Sequence, residues 1–244
     1  MSIQENFADV AAGAQTVRGM LNSLPPCIEL LPVGRETRFV AANCNKNWAH
    51  KPFKRLLDFS IAVPVLFVLA PLLAFLALLV RLDSPGPVLF RQKRLGYRGR
   101  PFEILKFRTM KVLEDGAAIT QARPGDARAT RVGRWLRAYS LDELPQFINV
   151  AKGEMSLVGP RPHARAHDEF YECLISGYQR RQDVRPGITG WAQIHGLRGA
   201  TPTIECMSRR VDLDVWYANH ASFALDLKIL LRTPMEVLRR RNAY

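Results

Sequence analysis

The sequence predicts an α+β chain: a mostly helical domain with one short β-hairpin, anchored by a single kinked apolar helix that enters and leaves a membrane on one side, with amphipathic helices on that surface. Three observations carry the prediction. From Leu56 to Val80 the chain is apolar apart from Asp58 and Ser60, which is the length of a membrane segment. Basic residues flank both ends, with Lys51, Lys54 and Arg55 before and Arg81, Arg91, Lys93 and Arg94 after. The positive-inside rule therefore sets no direction, and both ends belong in the cytoplasm. Elsewhere the apolar period is mostly helical, and strand-like alternation is confined to two short pieces.

Pro71 sits near the middle of the apolar run, where it removes a helical hydrogen bond and kinks the axis, and Pro64 adds a second bend. A helix bent into the inner leaflet and back out, with its basic ends among anionic head groups, fits these flanks. A straight span is the alternative, since proline kinks also occur in spanning helices; a buried core helix fits a run of this length poorly. Residues 1–47 carry Gly13, Pro25, Pro26, Pro32 and Gly34 among short apolar pieces without a sustained period, and read as a poorly ordered leader. They are no signal peptide, because the first long apolar run begins near residue 56. The organisation is thus a leader over 1–47, a membrane-associated helix over 48–82 and a domain over 83–244.

After the apolar run, Asp83-Ser84-Pro85-Gly86-Pro87 reads as a turn. Val88–Phe90 and Phe102–Phe107 alternate like two strands, with the basic run Arg91–Arg94, Gly96 and Gly99 between them as a hairpin turn. That turn is either a solvated loop or a phosphate clamp. Lys106 and Arg108, two apart, would share one face of the strand. A polar stretch from about 111 to 130 reads as a mobile loop. Helical periods follow at Ala129–Tyr139, Leu144–Lys152, Asp168–Arg181, Met207–Ala218 and Ser222–Leu231, the last two amphipathic and leading to the basic tail of Arg232, Arg239, Arg240 and Arg241.

Composition bounds the partners. There are 35 Lys+Arg against 22 Asp+Glu, a net charge of +13, so nucleic acid, phospholipid head groups or phosphorylated substrates are the expected anionic partners. A nucleic-acid binder leaves the apolar run unexplained and lacks an aromatic stacking motif. Cys27, Cys44, Cys173 and Cys206 form no C-x-x-C pair and read as free thiols of a reducing compartment. His163 and His167 at i, i+4 have no third ligand, which favours a surface pair over a metal site.

The densest chemistry lies in Ser140-Leu141-Asp142-Glu143-Leu144-Pro145-Gln146. Ser140 and Glu143 fit the S-x-x-E capping box, a purely structural use. A carboxylate in such a first turn also stays ionised, and the same helix end attracts phosphate, which suits a nucleophile next to a phosphate. Asp142 and Glu143 point about 100° apart, so one could attack while the other holds a metal ion. Pro145 places the true helix start a residue or two later. Arg161 between Pro160 and Pro162, and Arg185 ahead of Pro186-Gly187, read either as rigid turns or as preset guanidiniums for bidentate phosphate binding.

Taken together, several segments resemble the bacterial sugar transferases, the monotopic polyprenyl-phosphate phosphoglycosyl transferases. They are Phe53-Lys54-Arg55 with Asp58, the apolar run with its proline, Lys106–Met110, Ser140–Gln146, Gly153–Pro162 and Arg185–Gln193, spread over roughly residues 51–244. The resemblance implies transfer of a sugar 1-phosphate from a UDP-sugar to undecaprenyl phosphate with release of UMP, initiating exopolysaccharide, capsule or O-antigen synthesis at the cytoplasmic face of the bacterial inner membrane. It implies Asp142 as nucleophile, forming a phosphosugar–enzyme intermediate, and Glu143, with Asp142 beside it, as the Mg²⁺ site. Lys106, Arg108, Arg161 and Arg185 would neutralise phosphate, Asp214 matches an acid near the active site, and Arg94 matches a basic position. UDP-sugar, undecaprenyl phosphate and inner-membrane lipids are then the partners, nucleic acid is not, and self-association is left open.

Two departures stand out. The break in the membrane helix is Ala70-Pro71 where the family often has Ser-Pro, and the multi-helix membrane domain of larger relatives does not precede it, as in the small form of the family. Gly196–Glu205 and the ending Arg241–Tyr244 look like the branch that uses UDP-glucose, with galactose the next choice. A non-catalytic membrane scaffold is the rival class, but it has no use for the acid pair.

Overall fold

The computed structural model describes residues 48–111, 126–199, 201 and 203–238. The expected leader, most of the expected mobile loop and the last part of the basic tail lie outside them. The apolar run forms one helix, α1 (Pro52–Asp83), which starts with Pro52 in the first turn, where the missing N–H costs nothing. It continues as one helix through both Pro64 and Pro71.

α1 is not a core helix: only 11% of its apolar window is buried. Its two ends nevertheless rest on the same domain. Near the start, Lys54 Nζ lies 2.9 Å from both Asp58 and Asp226, and Asp58 Oδ1 accepts the Leu157 N–H at 3.2 Å. Trp48 Nε1 and Tyr217 Oη also donate to Asp226, at 2.8 and 2.6 Å. Near the end, Arg108 donates to the carbonyls of Val80, Ser84 and Pro85, and Asp83 accepts the Val132 N–H. Between Ala62 and Leu76 no residue is buried, and Phe67 and Val68 stand 84% and 73% exposed. The apolar middle stands away from a domain that grips both ends.

β1 (Leu89–Leu95) pairs antiparallel with β2 (Pro101–Phe107), in a register that sets Phe90 opposite Lys106 and Arg94 opposite Phe102. The basic run expected in the turn is part of β1. Its period explains this: Arg91 and Lys93 are exposed while Gln92 between them is buried, the alternation of a strand. The turn is Gly96–Arg100.

α2 (Arg131–Ala138) is capped by Thr130, whose hydroxyl accepts from the Gly133 N–H at 2.9 Å. A 3₁₀ turn, Leu141–Glu143, precedes α3 (Gln146–Lys152). β3 (Ser156–Val158) and β4 (Gly187–Thr189) form a parallel pair that the sequence reading lacks. Between them, the helix expected over Asp168–Arg181 is α4 (Arg165–Leu174) followed by a 3₁₀ turn, Tyr178–Asp183, after Gly177 takes a left-handed φ of 75°. α5 (Trp191–Ile194), α6 (Ile204–His220) and α7 (Phe223–Leu238) complete the chain. The main core joins β2, α3, β3, α6 and α7 through Ile104, Val150, Met155, Leu157, Tyr217 and Ile229.

Candidate active site

Four segments meet at Glu143. Lys106 reaches it from β2, with Nζ 2.9 Å from Oε1. Arg161, from the turn after β3, grips it with both nitrogens: Nη1 donates to Oε2 at 3.0 Å and Nη2 to Oε1. Arg198, from the segment after α5, brings Nη2 to 3.9 Å from Oε2. Such a bidentate guanidinium fixes direction as well as charge.

The local chain explains the placement. Ser140 takes a left-handed φ of 58° and its side chain makes no cap hydrogen bond, so the S-x-x-E match is not a capping box. A cap needs extended backbone at that residue; here the Glu143 carboxylate turns to the cations instead. Asn149, fully buried on α3, accepts the Leu105 N–H at 3.0 Å and donates to Glu103 O at 2.7 Å. This clip seats α3 on β2 and puts Lys106, next to Leu105, across from Glu143.

Arg161 is held by its main chain. Its carbonyl accepts from Arg181 Nη2, and the carbonyl of Pro162 accepts from Arg94 Nη1 at 3.0 Å. The two proline–arginine turns pack backbone to backbone: Gly159 N–H donates to Thr189 O at 2.9 Å and Gly187 N–H to Pro160 O at 2.9 Å. A Cβ on Gly159 would stand 2.2 Å from Arg185 O, and one on Gly187 would stand 2.1 Å from Gly159 N. Only glycine permits that approach.

Asp142, adjacent and half-buried, differs from Glu143. Among the described residues it has no hydrogen bond or ion pair, although Lys106, Arg137 and Arg161 are near enough to favour its charge. Burial and the neighbouring Glu143 charge outweigh them and raise its pKa to about 6. Arg161 and Lys106 hold Glu143 well below the usual carboxylate range against its own burial. Burial pushes the Lys106 ammonium down, with Glu143 opposing. One acid is thus clamped and ionised, and the other is free and easily protonated.

Other expected site residues lie elsewhere. Arg108 is 2% exposed and spends its hydrogen bonds on the end of α1, so it does not share the face of Lys106. Asp214, also 2% exposed, accepts from Arg181 at 3.2 and 2.9 Å and reaches the site only through the Arg161 carbonyl. Arg185 turns to Gly153 O at 3.3 Å and to the Tyr97 ring. His163 is no surface residue: it is 6% exposed, with Nδ1 2.6 Å from Tyr178 Oη and 2.9 Å from Arg181 Nη1. Burial and the arginines Arg181 and Arg210 keep it neutral, well below its ordinary pKa. Arg181, Tyr178 and Asp168, which form this buried network with Asp214, have no motif in the sequence. Arg198 has one, since it stands in the Gly196–Glu205 stretch.

No group of three or more His, Cys, Asp or Glu side chains among the described residues is arranged to hold a metal alone. Asp142 and Glu143 are the carboxylates that would hold a Mg²⁺ here, an ion that takes one or two carboxylates and leaves its other positions to phosphate and water. Burial, and after it the Glu143 charge, raise the Asp142 pKa, and a dication would favour the ionised pair.

The family model for bacterial sugar transferases matches residues 49–240. The chain belongs to the bacterial sugar transferase family. This sugar transferase is 54% identical over 191 residues to the UDP-glucose:undecaprenyl-phosphate glucose-1-phosphate transferase of Caulobacter vibrioides, across 78% of this chain and 72% of that one. It is 51% identical over 191 residues to the protein of the same name in Escherichia coli, of which the match covers 41%. An exopolysaccharide production protein of Rhizobium leguminosarum is 43% identical and is matched over 98% of its length. The chain therefore spans well under half of some curated relatives and nearly all of another.

Proposed function

We propose that this sugar transferase moves glucose 1-phosphate from UDP-glucose to undecaprenyl phosphate, releasing UMP, as the first membrane step of a polysaccharide. The observation that carries the reading is the contrast at the dyad: a free, half-buried Asp142 next to a Glu143 held by Arg161 and Lys106. Phosphoryl transfer asks chiefly for positioning and neutralised charge, and the names of the Caulobacter and Escherichia relatives supply donor and acceptor. An Aeromonas relative at 40% identity is named for N-acetylgalactosamine phosphate transfer, so the sugar is the finest part of the proposal.

In the first step an Asp142 carboxylate oxygen attacks the phosphorus that bears the sugar. The bond from that phosphorus to the bridging oxygen breaks, and UMP leaves with the electron pair. An acyl phosphate, the phosphosugar ester of Asp142, remains. In the second step an oxygen of undecaprenyl phosphate attacks the same phosphorus and the Asp142 carboxylate departs. Dividing one displacement into two is the gain of covalent catalysis. Arg161, Lys106 and Arg198 supply charge to the phosphoryl oxygens, and the Pro160 and Pro162 carbonyl contacts keep Arg161 in place. Mg²⁺, held by Glu143 with Asp142 beside it, would neutralise diphosphate charge.

The acceptor is a lipid, and α1 supports a membrane-associated chain. A helix that crossed the bilayer would carry its two ends to opposite sides, whereas Lys54–Asp58 and Val80–Ser84 both rest on one domain. We read α1 as re-entrant on the cytoplasmic face of the inner membrane. UMP release from UDP-glucose with undecaprenyl phosphate and Mg²⁺ in detergent tests the reaction. Wild type should release UMP and Asp142→Asn should not; equal release by both would remove Asp142 from the mechanism.

A further inference from the structure

Away from the dyad, basic side chains converge on one aromatic ring. Tyr97 lies in the turn between β1 and β2. The Arg98 guanidinium carbon is 5.1 Å from its ring centroid and that of Arg185 is 5.6 Å away. The His50 ring is 5.7 Å off, with Nδ1 3.5 Å from Tyr97 Oη. Behind them Arg55, on α1, donates to the carbonyls of Val150 and Ala151, and its Nη2 lies 3.0 Å from where a Cβ on Gly153 would stand. Gly153 O is the acceptor for Arg185 Nε.

Asp183 and Asp58 offset this charge in part but form no ion pair with it. Among the described residues no carboxylate stands within ion-pairing distance of Arg55, Arg98 or Arg185. Among the described residues Arg185 donates a hydrogen bond only through Nε and, like Arg98, lies against the Tyr97 ring, so the outer forks of both guanidiniums have no hydrogen-bond partner there. Guanidinium forks such as these two, both against the Tyr97 ring, are the groups that bind phosphate oxygens. Burial, Arg98 and Arg185 hold the His50 imidazole below its ordinary pKa, with Asp183 opposing.

The group is separate from the dyad. Among the described residues the ion-pair partners of Glu143 are Lys106, Arg161 and Arg198, and none of them belongs to it. It is close to α1 instead: His50 and Lys51 directly precede Pro52, and Phe53 is 59% exposed at the first turn. A phosphate held here would sit level with the entry of the apolar helix.

We propose that Arg98, Arg185 and His50 around Tyr97, backed by Arg55, form a second anion site that holds the phosphate of an anionic membrane lipid. The proposal rests on the membrane reading of α1. An anion seated among these groups removes the positive field at His50, so His50 serves as its reporter.

The test follows the His50 ring resonance against pH in the full chain, labelled at its histidines, in neutral detergent micelles, with His50→Gln to assign the signal. Phosphatidylglycerol added to the micelles should raise the His50 midpoint by about one pH unit, the size expected of a charge at this range. Phosphatidylcholine and equimolar inorganic phosphate should not. An equal response to inorganic phosphate would overturn the lipid and leave a site for soluble phosphate. A midpoint that no probe moves, or a rise that persists in Arg98→Gln and in the Arg98→Gln/Arg185→Gln pair, would overturn the site itself. Arg98 is exposed, so its single variant keeps the test valid if the pair fails to fold. UMP release measured in parallel separates this outcome from the fate of the proposed reaction.

Discussion

Arg161 Nη1 lies 3.0 Å from Glu143 Oε2 while its second nitrogen reaches Oε1, so the two side chains meet as a planar fork on a carboxylate. Lysine can supply the charge of Arg161 but only one point of contact. Arg161→Lys is therefore expected to keep the fold and lower UMP release by about 10- to 100-fold, the worth of one charge-assisted hydrogen bond. Release within twofold of wild type would mean that charge alone matters at this position.

Asp142 titrates in the working range. Its pKa of about 6 in the folded protein lies above the ordinary 3.8, so the folded chain binds a proton more tightly than the unfolded one between these values. Stability from this group is then present at low pH and lost as pH rises through 6, while the ionised carboxylate that the proposed mechanism needs appears over the same interval. The rate of UMP formation should fall below pH 6 with a slope of one proton. Asp142→Asn should melt at a higher temperature than wild type at pH 7.5 and no higher at pH 4. A lower melting temperature at pH 7.5 would contradict the buried, repelled carboxylate.

His163 predicts the opposite dependence. Its folded pKa lies well below 6.5, so under pH 6.5 the unfolded chain takes up a proton that the folded chain refuses. Stability should decline as pH falls from 6.5, by at most about 1.4 kcal/mol per pH unit, and be flat above. In His163→Gln the decline should shrink. Thermal melts from pH 5 to 8 check this, and identical slopes would show that His163 is protonated in the fold.

The grip of one domain on both ends of α1 predicts one-sided access. Single cysteines at Lys51 and Pro87, both exposed and placed in a cysteine-free background, should react with an impermeant maleimide in inside-out vesicles and not in intact spheroplasts. Opposite labelling of the two would establish a straight span.

Much of this was legible in the residues, and the limits have physical causes. The apolar run with basic ends and the Asp142-Glu143 pair were visible because length and charge are written locally. The β3–β4 pair was not, since each strand has only three residues and parallel pairing joins segments far apart. Arg108 looked like a partner of Lys106 by strand spacing, but it lies just past the end of β2 and turns to the carbonyls of α1. His163, Arg181 and Asp214 were obscured by their polarity: nothing in sequence marks which charged residues are buried together, as these are at under 9% exposure. Asn149, whose amide seats α3 on β2, left no signal either, because the groups it meets on β2 are the Leu105 N–H and the Glu103 carbonyl of the backbone.

The covalent step is the centre of the account, and the mass of the intact protein tests it most directly. Incubated with UDP-glucose and Mg²⁺ without acceptor, wild type should gain the mass of one phosphoglucose ester, mapped to Asp142, and lose it when undecaprenyl phosphate is added. Asp142→Asn should gain nothing. UMP release that depends on the acceptor from the first turnover, with no adduct on wild type under rapid quench, would contradict an aspartyl intermediate and favour direct attack by the lipid phosphate.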